Sequence, residues 1–281
     1  MNGGRGRPVV GLFDSGVGGL SVWNAVTERL PYLATLYVAD SAHCPYGPRP
    51  AGQIRQFARG IAHFLLEQGA NLMVVACNTA SAAALTALRA ELPVPVVGME
   101  PAIKPAVAQT RTGHIGVLAT QGTVDGDLFR TTSARYTAGV TVHVQVGEGL
   151  VERVEAGQVD QPETEALLRS VLQPMLRAQV DQIVLGCTHY PFLLPAIRRI
   201  VPPHVAVIDP AEAVARQVER VLTAGPPLTG EGSAGPPCAR FFSSGRPDVL
   251  AGLVRTLTGQ LPRVDPVTWR ADRLVSDLVN G

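Results

Sequence analysis

Two cysteines each end an apolar run, and polar residues follow both of them. The first run is LMVVACNT, which contains Cys77, and the second is QIVLGCTH, which contains Cys187. A lone cysteine at the end of a strand would be interpreted as a small buried hydrophobic residue. Polar side chains do not suit a core strand, so the repeated pattern favours a functional thiol pair. The polar residues that follow the two cysteines are Asn78, Thr79, Thr188 and His189.

Two thiols on opposite sides of a substrate carbon could invert its configuration. One thiol would remove a proton, and the other would deliver a proton to the opposite face. A free thiol has a pKa of ~8.5, so it can act as either base or acid near neutrality. His189 could stabilise a Cys187 thiolate or relay its proton. Asp14 would repel a thiolate, so it could accept the Cys77 proton or bind a substrate ammonium group.

Other uses of the two thiols fit the surrounding residues less well. A metal site would need more cysteine or histidine ligands than the predicted cleft offers. A disulfide switch would leave Asp14, Ser15 and Asn78 without a role. Cys44 and Cys238 lack the context of a strand followed by polar residues, so we assign no catalytic role to them.

A glycine-rich loop, DSGVGG, runs from Asp14 to Gly19 between a predicted strand and a predicted helix. It is a poor dinucleotide fingerprint, because the third glycine of G-x-G-x-x-G would fall at Ser21. Backbone N–H groups at the start of a helix form an anion-binding nest. The loop is therefore predicted to bind a substrate carboxylate.

Composition excludes several classes of protein. The 281 residues include 24 Lys+Arg and 23 Asp+Glu, a balance that argues against a dedicated nucleic-acid or membrane-surface binder. Lys104 is the only lysine, and no phosphate-binding loop accompanies it. This argues against P-loop enzymes and against pyridoxal phosphate enzymes. No secretory signal, membrane span or C-x-x-C pair is found, so a cytoplasmic protein with free thiols is expected.

Strand-like and helix-like segments alternate, which predicts an α/β fold with mainly parallel sheets covered on both faces. Helices are predicted at Leu20–Leu30, Ala51–Gln68, Ala80–Glu91, Pro162–Gln179, Phe192–Ile200, Ala211–Ala224 and Asp248–Leu257. Strands are predicted at Val9–Phe13, Thr35–Ala39, Leu72–Ala76, Val94–Gly98, His114–Ala119, Val140–Val146, Gln182–Gly186, Val205–Ile208 and Arg240–Ser244.

An internal repeat of the strand-end pattern predicts two similar lobes that face each other across a cleft. In the first half of the chain, one predicted strand ends at Asp14 and a later one ends at Cys77. In the second half, one predicted strand ends at Thr120 and a later one ends at Cys187. Ligands of open parallel sheets bind beyond the carboxyl ends of the strands. The first lobe is predicted to comprise residues 8–100 plus 209–281, and the second residues 101–208. Residues 1–7 are predicted to be a disordered leader, and residues 225–237 a loop rich in glycine and proline.

Three segments closely resemble the signatures of the glutamate racemase family, within the aspartate/glutamate racemase superfamily. They are GLFDSGVGGLS around Asp14, VACNTA around Cys77 and LGCTHYP around Cys187, and CPYG after His43 resembles the family as well. The resemblance implies an isomerase that interconverts L- and D-glutamate without pyridoxal phosphate or metal. It also implies that the product supplies peptidoglycan synthesis and that the only ligand is a small molecule.

The resemblance also assigns site residues. The catalytic pair falls on Cys77, which takes the proton of D-glutamate, and on Cys187, which takes that of L-glutamate. Supporting acid/base positions fall on Asp14 and His189, and a family glutamate falls on Glu155, with Glu152 as a neighbouring alternative. Around Glu155 the sequence departs from the family pattern, and we expect this to affect the outer wall of the second lobe. Substrate contacts are implied at Asp14, Ser15, Tyr46, Gly47, Asn78, Thr79, Thr120, Thr123, Thr188 and His189.

Two alternatives to a glutamate enzyme remain open. The first is racemisation of another amino acid, such as aspartate, by the same dithiol mechanism. The second is a redox protein in which Cys77 and Cys187 form a disulfide. The family commonly forms dimers through differing interfaces, and no feature of the sequence selects one of them.

Overall fold

Two separate sheets form the framework of the computed structural model, which describes residues 7–224 and 238–276. The first has seven strands in the order β11-β10-β9-β2-β1-β3-β4, and the second has four in the order β6-β5-β7-β8. All pairings are parallel except β10 with β11. The strands are β1 Val9–Asp14, β2 Ala34–Ala39, β3 Leu72–Val75, β4 Val96–Gly98, β5 His114–Ala119, β6 Thr141–Val146, β7 Gln182–Gly186, β8 Ala206–Ile208, β9 Ala239–Ser243, β10 Val264–Arg270 and β11 Arg273–Ser276.

Helices connect the parallel strands, as the alternating pattern predicted. A 3₁₀ turn at Tyr190–Leu193 precedes α9. The helices are α1 Leu20–Arg29, α2 Ala51–Glu67, α3 Asn78–Glu91, α4 Ile103–Gln109, α5 Gln121–Val124, α6 Asp127–Tyr136, α7 Leu150–Glu155, α8 Pro162–Arg177, α9 Leu194–Ile200, α10 Ala211–Ala224 and α11 Pro247–Thr258.

The predicted α/β architecture with two mainly parallel sheets is confirmed, and several elements were missed. Helix α6 buries only Phe129, so its sequence carries no apolar period that could indicate a helix. Helices α4 and α7 have seven and six residues, too few for a periodic signal. The hairpin of β10 and β11 was also missed, because its strands mix buried and exposed positions with charged residues.

The expectation that every strand is covered on both faces is wrong for two strands of the second sheet. Strands β1, β2 and β3 are buried at every position, as central strands of a covered sheet should be. Strands β6 and β8 contain only exposed and half-buried residues. They form the two edges of the four-stranded sheet, where one side of each strand has no neighbouring strand.

One apolar core joins the two sheets. It includes Val10 and Leu12 of β1 and Val74 of β3, and it continues to Leu118 of β5 and Leu185 of β7. All five side chains are fully buried. Residues of both sheets therefore share one packed interior, which fixes the strand ends of one sheet relative to those of the other.

The sheets divide the chain as the predicted lobes do. Residues 9–98 and 239–276 supply the first sheet, and residues 114–208 supply the second. The lobe boundaries at residues 100/101 and 208/209 stay a prediction. The predicted leader lies outside the described residues except for Arg7, and the predicted glycine- and proline-rich loop lies wholly outside them. Within the described ranges, no helix has both the length and the apolar character needed to cross a membrane.

Asp181 ties the turn before β5 to the start of β7. Its carboxylate accepts hydrogen bonds from the Thr110 hydroxyl (2.6 Å), the Arg111 N–H (2.6 Å) and the Thr112 N–H (3.1 Å). Burial alone would raise the pKa of Asp181, but these hydrogen bonds outweigh it and lower the pKa. We expect Asp181→Ala to reduce the free energy of unfolding by about 1–3 kcal/mol, since three donors lose a charged acceptor.

The same interaction has a defined pH dependence. Because the pKa of Asp181 is lower in the folded state, its contribution to stability is present above the ordinary aspartate pKa of about 4. It is lost as the pH falls through the lower, folded-state value. Urea denaturation at pH 7 and at acid pH should show that the difference in the free energy of unfolding between the wild type and Asp181→Ala is smaller in acid. A difference in the free energy of unfolding that is equal at both pH values would contradict this role of the carboxylate.

Candidate active site

The first half of the site lies at the carboxyl ends of β1 and β3. The register pairs Phe13 with Val75, so Asp14 and Cys77 leave neighbouring strands at the same edge of the sheet. Cys77 is the residue that precedes α3, and its Sγ accepts the Ala80 N–H at 3.4 Å. Helix α3 begins at Asn78, two residues earlier than predicted, so the first thiol lies at a helix N-terminus.

The second half lies at the carboxyl ends of β5 and β7. Ala119 pairs with Gly186, which puts Thr120 beside Cys187. The two halves meet directly, because the Thr188 hydroxyl donates to Asp14 Oδ2 at 2.9 Å. The structure thus brings together the ends of β1, β3, β5 and β7, the four strand ends that the internal repeat predicted to meet in one cleft.

His189 connects the second thiol to a carboxylate. Its Nδ1 lies 3.7 Å from Cys187 Sγ, and its Nε2 lies 2.6 Å from Glu155 Oε1. Burial alone would lower the pKa of His189, but hydrogen bonds to Cys187, Cys44 and Glu155 outweigh it and raise the pKa well above the usual value. Burial would raise the pKa of Glu155, and the hydrogen bond from His189 reverses this and lowers it. Both shifts describe an imidazolium–carboxylate pair beside Cys187.

The first thiol has the opposite surroundings. Burial, followed by the charge of Asp14, raises the pKa of Cys77 well above that of a free thiol. The N–H groups of Ala80 and Ser15 lower the pKa only in part. Burial also raises the pKa of Asp14, although His189 opposes this. Cys77 is accordingly held as a neutral thiol, whereas Cys187 has the protonated His189 beside it.

The glycine loop does bind carboxylates, but they belong to the protein. The Gly16 N–H donates to Asp14 Oδ1 at 2.7 Å, and the Val17 N–H donates to Glu155 Oε1 at 2.7 Å. The prediction that the loop binds a substrate carboxylate is therefore wrong for these two N–H groups, because they donate to carboxylates of the protein. They orient the side chains that act on the thiols.

Glu155, rather than Glu152, is the carboxylate that supports the site. Helix α7 carries both residues, and Glu155 at its end makes the contacts with His189 and Val17. Glu152 lines a cavity together with Gly47, Thr120 and Gly147. The departures from the family pattern, expected to affect the outer wall, also lie close to the thiols, because α7 reaches into the cleft. The sequence departs from the family pattern here, so the pattern could not choose between the two glutamates.

Hydroxyl groups and one free amide oxygen complete the polar lining. Thr79 Oγ1 lies 2.9 Å from Thr120 Oγ1, which lies 2.9 Å from Thr123 Oγ1. Asn78 is buried, and its Oδ1 has no hydrogen-bond partner among the described residues. A buried carbonyl oxygen without a donor is costly, so this atom is suited to accept from a ligand. Ser15 is buried beside Asp14, and its hydroxyl lies 3.4 Å from Asp14 Oδ1.

Tyr46 and Gly47 form the wall on the first-lobe side. Gly47 lies against Thr120, since a Cβ at this glycine would meet Thr120 Cβ at 3.3 Å. The Tyr46 hydroxyl donates to Asp40 Oδ2 at 2.6 Å, so its hydrogen is not directed at a substrate. Asp40, which sequence reasoning missed, is fully buried and also accepts from Ser244 Oγ (2.6 Å) and Trp269 Nε1 (2.8 Å). It anchors the Tyr46 side chain to the C-terminal strands.

Cys44 was also missed as part of the site. Its Sγ lies 3.9 Å from Ser15 Oγ, and it interacts with both Glu155 and His189. Burial raises the pKa of Cys44 to about 12. The only signal available in the sequence was its place in the CPYG segment, because Cys44 ends no strand.

Gly18 must remain without a side chain for His189 to keep its position. A Cβ at Gly18 would overlap the His189 imidazole. We expect Gly18→Ala to reduce kcat by about 10²-fold, the typical cost of displacing a catalytic group by 1 Å. The measurement is the racemisation rate of folded protein, with circular dichroism to confirm the fold.

Gly252→Ala is the matched control for this prediction. Gly252 lies inside α11, and a Cβ there meets nothing within 4 Å. This variant should keep full activity and gain about 0.5–1 kcal/mol of stability, as expected for alanine within a helix. A Gly18→Ala protein as active as the Gly252→Ala protein would show that contact with the loop does not fix His189.

Comparison with known proteins relates this arrangement to one family. A model of the Asp/Glu/Hydantoin racemase family matches residues 21–218. A glutamate racemase of Pseudomonas aeruginosa is 48% identical over 271 residues, which cover 96% of this chain and 97% of that protein.

Solved structures agree with the sequence comparison. The structure of glutamate racemase isoform RacE1 from Bacillus anthracis superposes with a TM-score of 0.82 at 30% identity, covering 95% of this chain and 98% of that one. Glutamate racemase from Escherichia coli, in complex with L-glutamate and the activator UDP-MurNAc-ala, also gives a TM-score of 0.82. It is 33% identical and covers 92% of this chain and 97% of its own.

Proposed function

This chain belongs to the Asp/Glu/Hydantoin racemase family, and we propose that it interconverts L- and D-glutamate by proton transfer through Cys77 and Cys187. The activity is that of a glutamate racemase, an isomerase that acts on a free amino acid. One observation carries the proposal. The two thiols end strands of different sheets, and the hydrogen bond between Thr188 and Asp14 joins those strand ends. Opposite faces of one α-carbon are then accessible from opposite sheets.

The charges around the two thiols support a defined resting state. The protonated His189 lies 3.7 Å from Cys187 Sγ, and Cys77 keeps its proton because its pKa is raised. Cys187 removes the α-proton of L-glutamate, and Cys77 delivers its own proton to the other face, which leaves D-glutamate. The thiolate is then on Cys77 and the thiol on Cys187, which is the state that accepts D-glutamate. A second turnover of L-glutamate requires the proton to pass back from Cys187, and His189 is placed to relay it.

Polar groups of the cleft provide a binding site for an amino acid. Asn78 Oδ1 and the Asp14 carboxylate suit the substrate ammonium group, because both are buried acceptors beside Cys77. The hydroxyls of Thr79, Thr120 and Thr123 suit a carboxylate. Substrate binding would supply the hydrogen bond that Asn78 lacks, which makes this amide a favourable contact.

The proposed chemistry needs neither pyridoxal phosphate nor a metal. Both thiols have a group beside them that handles charge or protons. Lys104, the only lysine, lies over the ring of Tyr136 at 5.7 Å. We also propose the two lobes at 8–100 plus 209–281 and at 101–208, a cytoplasmic location, a role in supplying D-glutamate for peptidoglycan, and a homodimer. Nucleic acid and membrane are not proposed as partners.

Incubation in deuterated water tests the reaction. Each enantiomer of glutamate is incubated without cofactor, and optical rotation and α-deuteration are followed. Product should carry deuterium at the α-carbon, while the remaining substrate stays mostly protonated early in the reaction, because different groups act on the two faces. Product that keeps the α-proton of the substrate would contradict the two-base mechanism.

The same assay with aspartate separates the alternatives. Turnover of aspartate but not glutamate would replace glutamate as the substrate and keep the mechanism. Inertness towards both amino acids, with a reversible loss of two thiols under mild oxidation, would favour the redox protein. We expect glutamate alone to be turned over.

A further inference from the structure

The proposed racemisation leaves one thiol of the cleft without a task. Cys44 is half-buried, and ligand atoms of Cys44, Glu155 and His189 all lie within 4.8 Å of one another. No other group of three or more such residues in the described part of the chain is gathered this closely. Sulfur, imidazole nitrogen and carboxylate oxygen are the three donor types that bind Zn²⁺ in proteins.

We propose that Cys44, Glu155 and His189 form a binding site for a thiophilic divalent cation such as Zn²⁺, and that its occupation stops racemisation. The site contributes three protein ligands and leaves a fourth position for water or a substrate oxygen, the arrangement of an open zinc site. The sequence predicted a cleft with too few cysteine or histidine ligands for a metal. Folding adds Cys44 from the loop after β2 and Glu155 from α7.

The geometry requires only small movements. Ligand bonds of about 2.0–2.3 Å in a tetrahedron place neighbouring donor atoms roughly 3.3–3.7 Å apart. The three donors already lie within 4.8 Å of one another. The Val17 N–H donates to Glu155 Oε1 at 2.7 Å, so one ligand is held in place from outside the site.

The charges also balance. Binding would release the Cys44 thiol proton and the proton shared by His189 and Glu155, so two protons leave as the cation enters. One thiolate and one carboxylate then neutralise the two positive charges of Zn²⁺. The step forms metal–ligand bonds and changes no oxidation state.

Inhibition follows from the identity of the ligands, and this part rests on the proposed function. His189 would be bound to the metal through a ring nitrogen and could no longer relay the Cys187 proton. Glu155 would exchange its hydrogen bond with His189 for a bond to the metal. Both changes disable the second thiol without any contact with Cys77.

Direct binding is tested with Co²⁺, without glutamate. Cobalt bound to a thiolate has a charge-transfer absorption in the near ultraviolet, so a titration reports both binding and the sulfur ligand. We expect one Co²⁺ per chain in the wild-type protein and loss of the band on addition of Zn²⁺, which such sites bind more tightly. Wild-type protein without the band would overturn the proposal.

Four variants locate the ligand. Cys44→Ser should abolish the band or weaken Co²⁺ binding at least tenfold, and Cys44→Ala, checked by circular dichroism, provides a second variant if the serine protein does not fold. Cys187→Ser should keep the band, and so should Cys238→Ser, since Cys238 is exposed. A band that survives in the Cys44 variants and disappears in Cys187→Ser would place the metal on the catalytic thiol and overturn the assignment.

Racemisation assays test the inhibitory part separately. Zn²⁺ should inhibit the wild-type protein reversibly, with activity restored by a chelator, and the inhibiting concentration should match the one that displaces Co²⁺. Binding of Co²⁺ without inhibition by Zn²⁺ would keep the site and reject its effect on the reaction. A protein that binds Co²⁺ through Cys44 but never racemises glutamate would contradict the proposed function alone.

Discussion

Replacing Cys77 or Cys187 by serine is expected to reduce kcat by about 10²–10⁴-fold, the usual contribution of a general acid or base. A serine hydroxyl keeps the size of the group but does not ionise near neutrality. Each direction of the reaction uses both residues, one as base and the other as acid, so either substitution slows both directions. The measurement is the initial rate of rotation change, starting from each enantiomer.

Cys238→Ser is the matched control, because it makes the same chemical change at an exposed cysteine. It should racemise glutamate at the wild-type rate. The two enantiomers have equal free energy, so kcat/KM must remain equal in both directions for every variant. Near-normal racemisation by Cys77→Ser or Cys187→Ser would remove that cysteine from the mechanism.

His189→Asn is expected to reduce kcat/KM by about 10²-fold, with the fold retained. Asparagine can still form hydrogen bonds, but it can neither carry a positive charge 3.7 Å from Cys187 Sγ nor relay a proton. Removal of the α-proton of L-glutamate should then become more strongly rate-limiting. The isotope effect measured with α-deuterated L-glutamate should rise more than the effect measured with the D-enantiomer.

Glu155→Gln tests the same chain of contacts one step further from the thiol. It should reduce kcat by about 10–100-fold, since a charge-assisted hydrogen bond of about 1.5–3 kcal/mol is lost. Its isotope effects should shift in the same direction as those of His189→Asn. Equal rises for both enantiomers in either variant would show that His189 does not act on the Cys187 side specifically.

The repeated strand–helix pattern and the repeated cysteine triplets were sufficient to predict much of the site. Parallel strands put their carboxyl ends at one edge of a sheet, so residues that end apolar runs, such as Asp14 and Cys77, must lie together. The same reasoning placed Thr120 beside Cys187. Short or weakly amphipathic elements, such as α6 and the hairpin of β10 and β11, have no regular spacing of apolar residues from which they could be predicted.

The tertiary contacts of residues in loops could not be predicted from the sequence. Cys44 and Asp40 follow β2, and nothing in their local sequence says which side chains they will meet. Asp40 meets Trp269, which is 229 positions away along the chain. The choice between Glu152 and Glu155 likewise depends on the direction in which a six-residue helix points its side chains.

The amino-acid sequence by itself was sufficient to propose thiol-based proton transfer. Thiols follow two apolar strands, and the only lysine has no phosphate-binding loop beside it. Only the tertiary structure decided the surroundings of each thiol. The pKa of a buried group depends on burial and on groups a few ångströms away, and those groups come from distant parts of the chain. Burial and then Asp14 raise the pKa of Cys77, while hydrogen bonds to Cys187, Cys44 and Glu155 raise the pKa of His189.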